Sequence, residues 1–198
     1  HSEILGWERE GSHRSRERDV FVLLYVAAFV QGKNHRDVLE LANLLQKMGK
    51  EFRIRLIGEG PEKEKIEREV EARGLASLIE LVGFQNHLAD HFFKADLAIS
   101  ISFEESMPNA LVEAQYSGLP VVAYDVAGVG ETFVNGGAGI LVERGNLEKM
   151  AESIEILMAD SQKRSKMSEV ALKFSRKKFD PQIRFDEFSR SLLNQHTS

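Results

Sequence analysis

The sequence predicts an α/β domain built on a Rossmann-like parallel sheet flanked by helices. Three observations predict it. Short apolar runs recur along the chain at Val20–Val30, Phe52–Ile57, Leu78–Val82, Leu97–Ser102, Val121–Tyr124 and Gly139–Val142. Most are followed by a turn rich in Gly, Asn or Pro and then by a charged stretch of helical length. Elements that alternate in this way cannot close an antiparallel meander; they imply parallel strands with helices on both faces. At 198 residues, 42% of them hydrophobic and 29% charged, the chain is long enough for one ordinary domain with a core of its own.

Composition excludes several functions. The net charge of −5, from 26 basic and 31 acidic residues, argues against a general nucleic-acid coat, so no nucleic-acid partner is expected. With no cysteine, disulfides, thiolate metal sites and cysteine nucleophiles are absent, which is compatible with a reducing compartment. No signal peptide is visible, and the longest apolar run, Val20–Val30, is too short to span a bilayer. The chain starts at His1 with no Met before Met48, which implies a piece of a longer protein. Residues 1–19 are polar, with Arg14, Arg16 and Arg18 alternating with other residues, and read as a linker or cloning-derived tail whose Trp7 would pack on the domain surface.

Val20–Val30 is apolar on both faces and rich in Val, Phe and Leu, and reads as a fully buried strand. Gln31–His35 is a turn. A helix follows over Arg36–Met48, with Val38, Leu41, Ala42 and Leu45 on one face and Gly49 as its stop. Phe52–Ile57 is the second strand, Gly58–Pro61 a tight loop, and Glu62–Arg73 a charged helix. Leu78–Val82, a short helix Asn86–Lys94 and the strand Leu97–Ser102 complete the first half. His87 and His91 would stand four apart on that short helix, but without an H-E-x-x-H pattern or a third ligand they read as a solvated face, and no metal is expected. Gly58-x-Gly60 and Gly128-x-Gly130 both lack the third glycine of a dinucleotide fingerprint, at Lys63 and Phe133.

The stretch Ser102–Asp125, SFEESMPNALVEAQYSGLPVVAYD, carries the chemistry. Glu113 is the only charge from Ser106 through Tyr124. Pro108 suits a first helical turn, so Asn109–Ser117 reads as helix, ended by Gly118. Its first backbone N–H groups lack helical partners and, with the helix dipole, favour an anion such as phosphate. Glu105 sits on the loop before it, and Glu113 lies roughly 7–8 Å along the axis. Spacing alone leaves open whether the two glutamates share a task. Beyond it, Asp125 and Glu131 read as loop-ordering acids, Asn146 as the cap of Leu147–Met158, and Asp160–Phe174 as a further helix. Arg176–Lys178 reads as a solvated helix end, and Pro181–Leu193 as a last amphipathic helix.

Glu105-x7-Glu113, with Met107-Pro108-Asn109 inside it and SGLPVVAYDVAGVGE after it, resembles the signature of retaining glycosyltransferases of the family-4 type. The resemblance runs from about Val22 to Lys178. It implies one half of a GT-B fold, the C-terminal, nucleotide-sugar-binding half: residues 20–178 would be the donor-binding domain, and 179–198 a helix crossing back to an N-terminal acceptor domain. It implies no cofactor and no metal, the substrate being a UDP- or GDP-linked sugar. Glu105 would face the donor sugar as the catalytic residue. Lys33, beside Gly32, would neutralise the leaving diphosphate. Met107 and Pro108 would line the same turn, and Asn109, Ala110 and Leu111 would offer backbone N–H groups to the diphosphate. Glu113 would accept bonds from the ribose, and the loop Gly83-Phe84 would meet the base. Where the family has Gly-Arg before this lysine, the chain has Ala27-Ala28, so a charged donor is missing.

The resemblance implies a cytoplasmic enzyme whose lipid-linked acceptors would bring it to the inner face of the membrane, and a fragment that binds donor without turning over. Two rival readings stand beside it: a noncatalytic nucleotide-binding or assembly module of the same fold, which Ala28 favours, and a sugar-nucleotide epimerase of similar architecture.

Overall fold

The computed structural model describes residues 20–105 and 108–179. Six strands, β1 (Phe21–Val26), β2 (Phe52–Ile57), β3 (Ile79–Gly83), β4 (Leu97–Ser100), β5 (Val121–Asp125) and β6 (Gly139–Glu143), form one sheet. All five pairings are parallel and the order is β3-β2-β1-β4-β5-β6. The chain therefore starts mid-sheet, adds β2 and β3 on one side, then returns to add β4, β5 and β6 on the other. Six helices connect or follow the strands: α1 (His35–Lys47), α2 (Lys63–Ala72), α3 (Ala89–Lys94), α4 (Asn109–Tyr116), α5 (Leu147–Ala159) and α6 (Ser161–Phe179).

Alternate residues of a strand face opposite sides of the sheet, so a strand covered on both faces must be apolar throughout. β1 meets this demand. Leu23 and Tyr25 join one core with Val38, Leu41 and Leu45 of α1 and Ile154 and Leu157 of α5. Leu24 joins the opposite core with Ala98, Val121 and Ala123 of the sheet, Leu111 and Ala114 of α4 and Ala171 of α6. α6 closes against the end of α4, where Ser168 and Leu172 lie over Gly118. Asn146 caps α5 through Lys149 N (2.9 Å), and Asp160 does the same for α6 through Lys163 N (2.8 Å).

The structure corrects three expected elements. The first strand ends at Val26 rather than Val30. Beyond Val26 the chain leaves the ladder to clamp the loop after β2: Ala27 N donates to Ile57 O (3.0 Å), Phe29 N to Glu59 O (2.9 Å), and Glu62 N to Phe29 O (3.0 Å). Gly58 and Gly60, at φ +149° and +154°, permit this approach. A Cβ on Gly60 would stand 2.5 Å from the Phe29 carbonyl oxygen, and one on Gly58 would overlap that of Ala27. Second, α3 begins at Ala89, because residues 84–88 are spent turning out of β3; His87 is outside the helix, so His87 and His91 are not a helical pair. Third, α6 runs to Phe179 and absorbs Arg176–Lys178. Lys178 is not simply solvated: its Nζ donates to the Glu131 carbonyl (2.7 Å) and lies over the Phe174 and Phe179 rings. The expected tail 1–19 and helix 181–193 lie outside the described residues.

His35 opens α1 and is 1% exposed, stacked on Phe29 at 4.0 Å between ring centroids and tilted against Tyr25 at 5.1 Å. Burial, with the nearby charge of Lys33 as a lesser cause, pushes its pKa down to about 4. The native imidazole therefore stays neutral where the unfolded chain, titrating near 6.5, takes up a proton. Stability is full above pH 6.5 and falls as the pH drops from there to about 4, by about 3 kcal/mol from this residue. Urea unfolding at pH 7 and at pH 4.5 should show a markedly smaller acid loss for His35→Gln than for the unaltered chain; equal losses would refute the assignment.

Candidate functional site

In an open parallel sheet, a crevice forms at the carboxyl edge where the strand order reverses. Here that point lies between β1 and β4. The chain leaves β1 through residues 27–34 and β4 through residues 101–108. Gln31–Lys33 is a turn of 3-10 helix, and Asn34 leaves it at φ +51° to start α1. This brings Lys33 Nζ to 2.5 Å from Glu105 Oε1, across 72 positions of sequence. The two side chains are 25% and 11% exposed, so the pair is shielded from water without being sealed off from the crevice.

Three hydrogen bonds tie the two loops beneath that pair. Tyr25, the penultimate residue of β1 and 2% exposed, donates its hydroxyl proton to the Lys33 carbonyl at 2.5 Å. The same hydroxyl is 3.1 Å from Ser102 Oγ. A phenol has one proton, and the carbonyl can only accept, so Ser102 donates to Tyr25. Burial raises the pKa of the phenol, which keeps that proton in place. The third tie runs between main chains: Phe103 N donates to Gly32 O at 3.0 Å. Gly32, expected beside Lys33, thus acts through its carbonyl. Tyr25 and Ser102 were not foreseen. Their signal was available, because Tyr25 is the only residue of Val20–Val30 with a polar side chain, and a buried hydroxyl needs a partner.

α4 begins at Asn109, with Pro108 buried before it as its cap residue rather than inside its first turn. Leu111 N bonds to Pro108 O at 2.9 Å. Of the three backbone donors expected here, Leu111 is therefore occupied, and Asn109 and Ala110 have no partner among the described residues. Glu113 is half-buried on the same helix, and burial raises the pKa of its carboxyl. Its carboxylate has no protein partner among the described residues. Met107 lies outside them.

The outer loops of the edge are also joined. Gly58 N donates to Gly83 O at 3.1 Å. Glu59 pairs with Lys63 at 2.6 Å and accepts from Phe84 N at 3.3 Å. The Phe84 backbone donor, in the loop expected to meet the base, is thus held by Glu59, while its ring is 65% exposed. Ala28 is exposed on the loop after β1. Beside the Lys33 turn lies a cleft of about 270 Å³ lined by Gln31, Asn34, His35, Arg36, Lys65 and Phe103, with Glu62 at its rim.

Among the described residues, no hydrogen bond or ion pair is made by the carboxylates of Asp125 and Glu131, which were expected to order the loop after β5. The loop is held by Val129 N to Val126 O (3.1 Å), Thr132 N to Val129 O (3.0 Å) and Thr132 Oγ1 to the same carbonyl (2.7 Å). Among the described residues no three His, Asp or Glu side chains gather as a metal ion would require. Nor is any described helix long and apolar enough to cross a membrane.

The profile of the family Glycosyl transferases group 1 matches residues 8–174. Alpha-D-kanosaminyltransferase of Streptomyces kanamyceticus is 28% identical over 152 residues, 76% of this chain and 39% of that protein. Poly(glycerol-phosphate) alpha-glucosyltransferase of Bacillus subtilis is 34% identical over 146 residues, 73% of this chain and 22% of that protein. The chain thus spans well under half the length of these relatives. Among solved structures, a Staphylococcus aureus TarM variant in complex with UDP and other ligands superposes with a TM-score of 0.81 at 22% identity, covering 90% of this chain and 37% of that one. The C-terminal domain of the group 1 protein LpcC from Francisella tularensis superposes with a TM-score of 0.70 at 21% identity, covering 81% of this chain and 87% of that one.

Proposed function

This chain belongs to the group 1 glycosyl transferases, and from that premise we propose that it is the donor-binding half of a retaining enzyme that takes its sugar from a UDP-linked donor. One observation carries the reading: the fold brings Lys33 and Glu105 together at the switch point of the sheet, on the loops beside the N–H groups of Asn109 and Ala110, which have no partner among the described residues. A cation and a helix N-terminus suit a diphosphate. Glu105 then meets the sugar attached to it, and Glu113 the ribose. TarM and the Anabaena protein HepE were solved with UDP, which favours uridine over guanosine here. The acceptor is bound by a second domain facing Val30, Phe84 and Phe103, the exposed apolar side chains of this edge, and the chain alone does not turn over.

The chemistry assigned to these groups is electrostatic. As the bond from sugar to diphosphate breaks, negative charge grows on the leaving phosphate, and Lys33 with the α4 donors stabilises it. Glu105 supports the sugar as it becomes electron-poor. A noncatalytic nucleotide-binding module is the second reading, and Ala28 favours it: the position that carries arginine in the resembling enzymes offers no charge here.

Calorimetric titration at low salt tests the proposal. UDP should bind more tightly than GDP. Lys33→Ala should weaken UDP about tenfold or more, the loss of one charge-assisted contact, and Ala28→Arg should tighten it by a similar factor. Glu113→Ala should weaken UDP while raising the melting temperature of the nucleotide-free chain, since it removes a half-buried carboxylate that has no protein partner among the described residues. UDP binding that ignores Lys33 and Glu113 would refute the assigned site. Absence of UDP binding even in Ala28→Arg would refute donor binding itself.

Glu105 gives the opposite sign. In the nucleotide-free chain its carboxylate occupies Lys33, so a diphosphate must displace it. Glu105→Gln should therefore tighten UDP severalfold and abolish any preference for UDP-glucose over UDP. A loss of UDP affinity in this variant would mean that Glu105 does not compete for Lys33.

A further inference from the structure

Resting on the donor reading above, we propose that Tyr25 is a positioning residue of the transfer site: its hydroxyl fixes the Lys33 loop against the Glu105 loop and so sets where the phosphate-binding cation stands. The residue sits in β1, not in either loop, and touches neither of the charged side chains through its own polar atom. It acts on their backbones.

The argument begins with what the hydroxyl does not do. Tyr25 fills the core between β1 and α1, and the ring alone accomplishes that. Phenylalanine has the same shape and needs no partner. The hydroxyl in this place must have its bonds, and it has two, to the Lys33 carbonyl and to Ser102 Oγ. Lys33 is the residue whose side chain meets Glu105, and Ser102 lies three positions before Glu105. One buried atom therefore joins the main chain at the cation to the loop that carries the carboxylate.

The neighbouring bonds show why this join matters. Lys33 N already donates to Val30 O at 3.0 Å within its own turn, and Asn34 N to Gln31 O at 3.0 Å. Those bonds shape the turn but do not locate it against β4. Only the Tyr25 hydroxyl and the Phe103-to-Gly32 bond span the two loops at the backbone level among the described residues. The side-chain pair of Lys33 and Glu105 spans them too, but donor binding breaks that pair. When it breaks, the hydroxyl keeps the Lys33 backbone in register, so the ammonium swings to the diphosphate from a fixed root. A long lysine side chain on a loose loop loses more freedom on binding than one on a held loop.

The test uses two readouts on the whole 198-residue chain. Amide hydrogen exchange without nucleotide should show the Phe103 amide exchanging about tenfold faster in Tyr25→Phe than in the unaltered chain, with the β1 amides unchanged. Ser102→Ala, which removes the other end of the bridge, should do the same. Calorimetry should show UDP about tenfold weaker in Tyr25→Phe, yet less than twofold weaker when the same change is made in Lys33→Ala, because Tyr25 acts through Lys33. An effect of equal size in both backgrounds would make Tyr25 a general packing residue and overturn the proposal. So would unchanged exchange at Phe103 in both Tyr25→Phe and Ser102→Ala. If neither the unaltered chain nor Ala28→Arg binds UDP, the donor reading fails, and the exchange experiment alone still decides whether the hydroxyl holds the loops.

Discussion

The carboxyl edge of this sheet depends on the contact between Lys33 and Glu105, and its placement matters more than its strength. A partly exposed ion pair contributes on the order of 1 kcal/mol or less. It does not hold the loops together; the buried bonds beneath it do that, from Tyr25, Ser102, Gly32 and Phe103. A weak pair on a firm frame is what a ligand can exchange. A stronger, fully buried pair would resist displacement, and a mobile frame would scatter the two charges once they parted.

That frame follows from the strand order. β1 lies in the middle of the sheet, covered on both faces, so the loop at its end begins from a fixed point. The loop is then fastened on both sides. Toward β2 it clamps residues 58–62, an approach open only to glycines at 58 and 60. Toward β4 it is fastened through Tyr25 and Phe103. The apolar run Val20–Val30 therefore encodes two things in one stretch: six residues of strand, then a buried anchor at Phe29 that carries the chain to Lys33.

Much of this was legible from residue order. The alternation of apolar runs and charged stretches gave the parallel sheet, and β2 fell on the expected residues. Glu113 stood out as the lone charge from Ser106 through Tyr124, whereas Glu105 and Lys33 were singled out through the family resemblance. What was not legible depended on contacts far apart in sequence. The end of β1 is set by hydrogen bonds to residues 57, 59 and 62, and no local pattern reports them. Lys178 read as solvated because its partner, the Glu131 carbonyl, is a main-chain group that any residue could supply. Leu111 was expected to be free, but the carbonyl of Pro108 turns back to take its N–H. The hydroxyl of Tyr25 passed unnoticed because an aromatic residue in a strand already has a sufficient explanation in packing.

Ala28 gives the pairing of Lys33 with Glu105 its weight. A diphosphate carries more than one negative charge, and an arginine beside the lysine would share them, so that displacing Glu105 would cost only part of the gain. Here the groups assigned to the diphosphate are one cation, Lys33, and the backbone donors of Asn109 and Ala110. On the proposed donor reading, every interaction a diphosphate would make with Lys33 must first overcome the one Glu105 already has. The carboxylate is therefore both the group assigned to the sugar and the competitor that sets how readily the phosphates enter. A donor that presents a sugar to Glu105 compensates it for the lost lysine, whereas a bare nucleotide does not. On that reading, with alanine at position 28, discrimination between the two would rest on that difference, and the residue that weakens the site would also make it more selective for a complete donor.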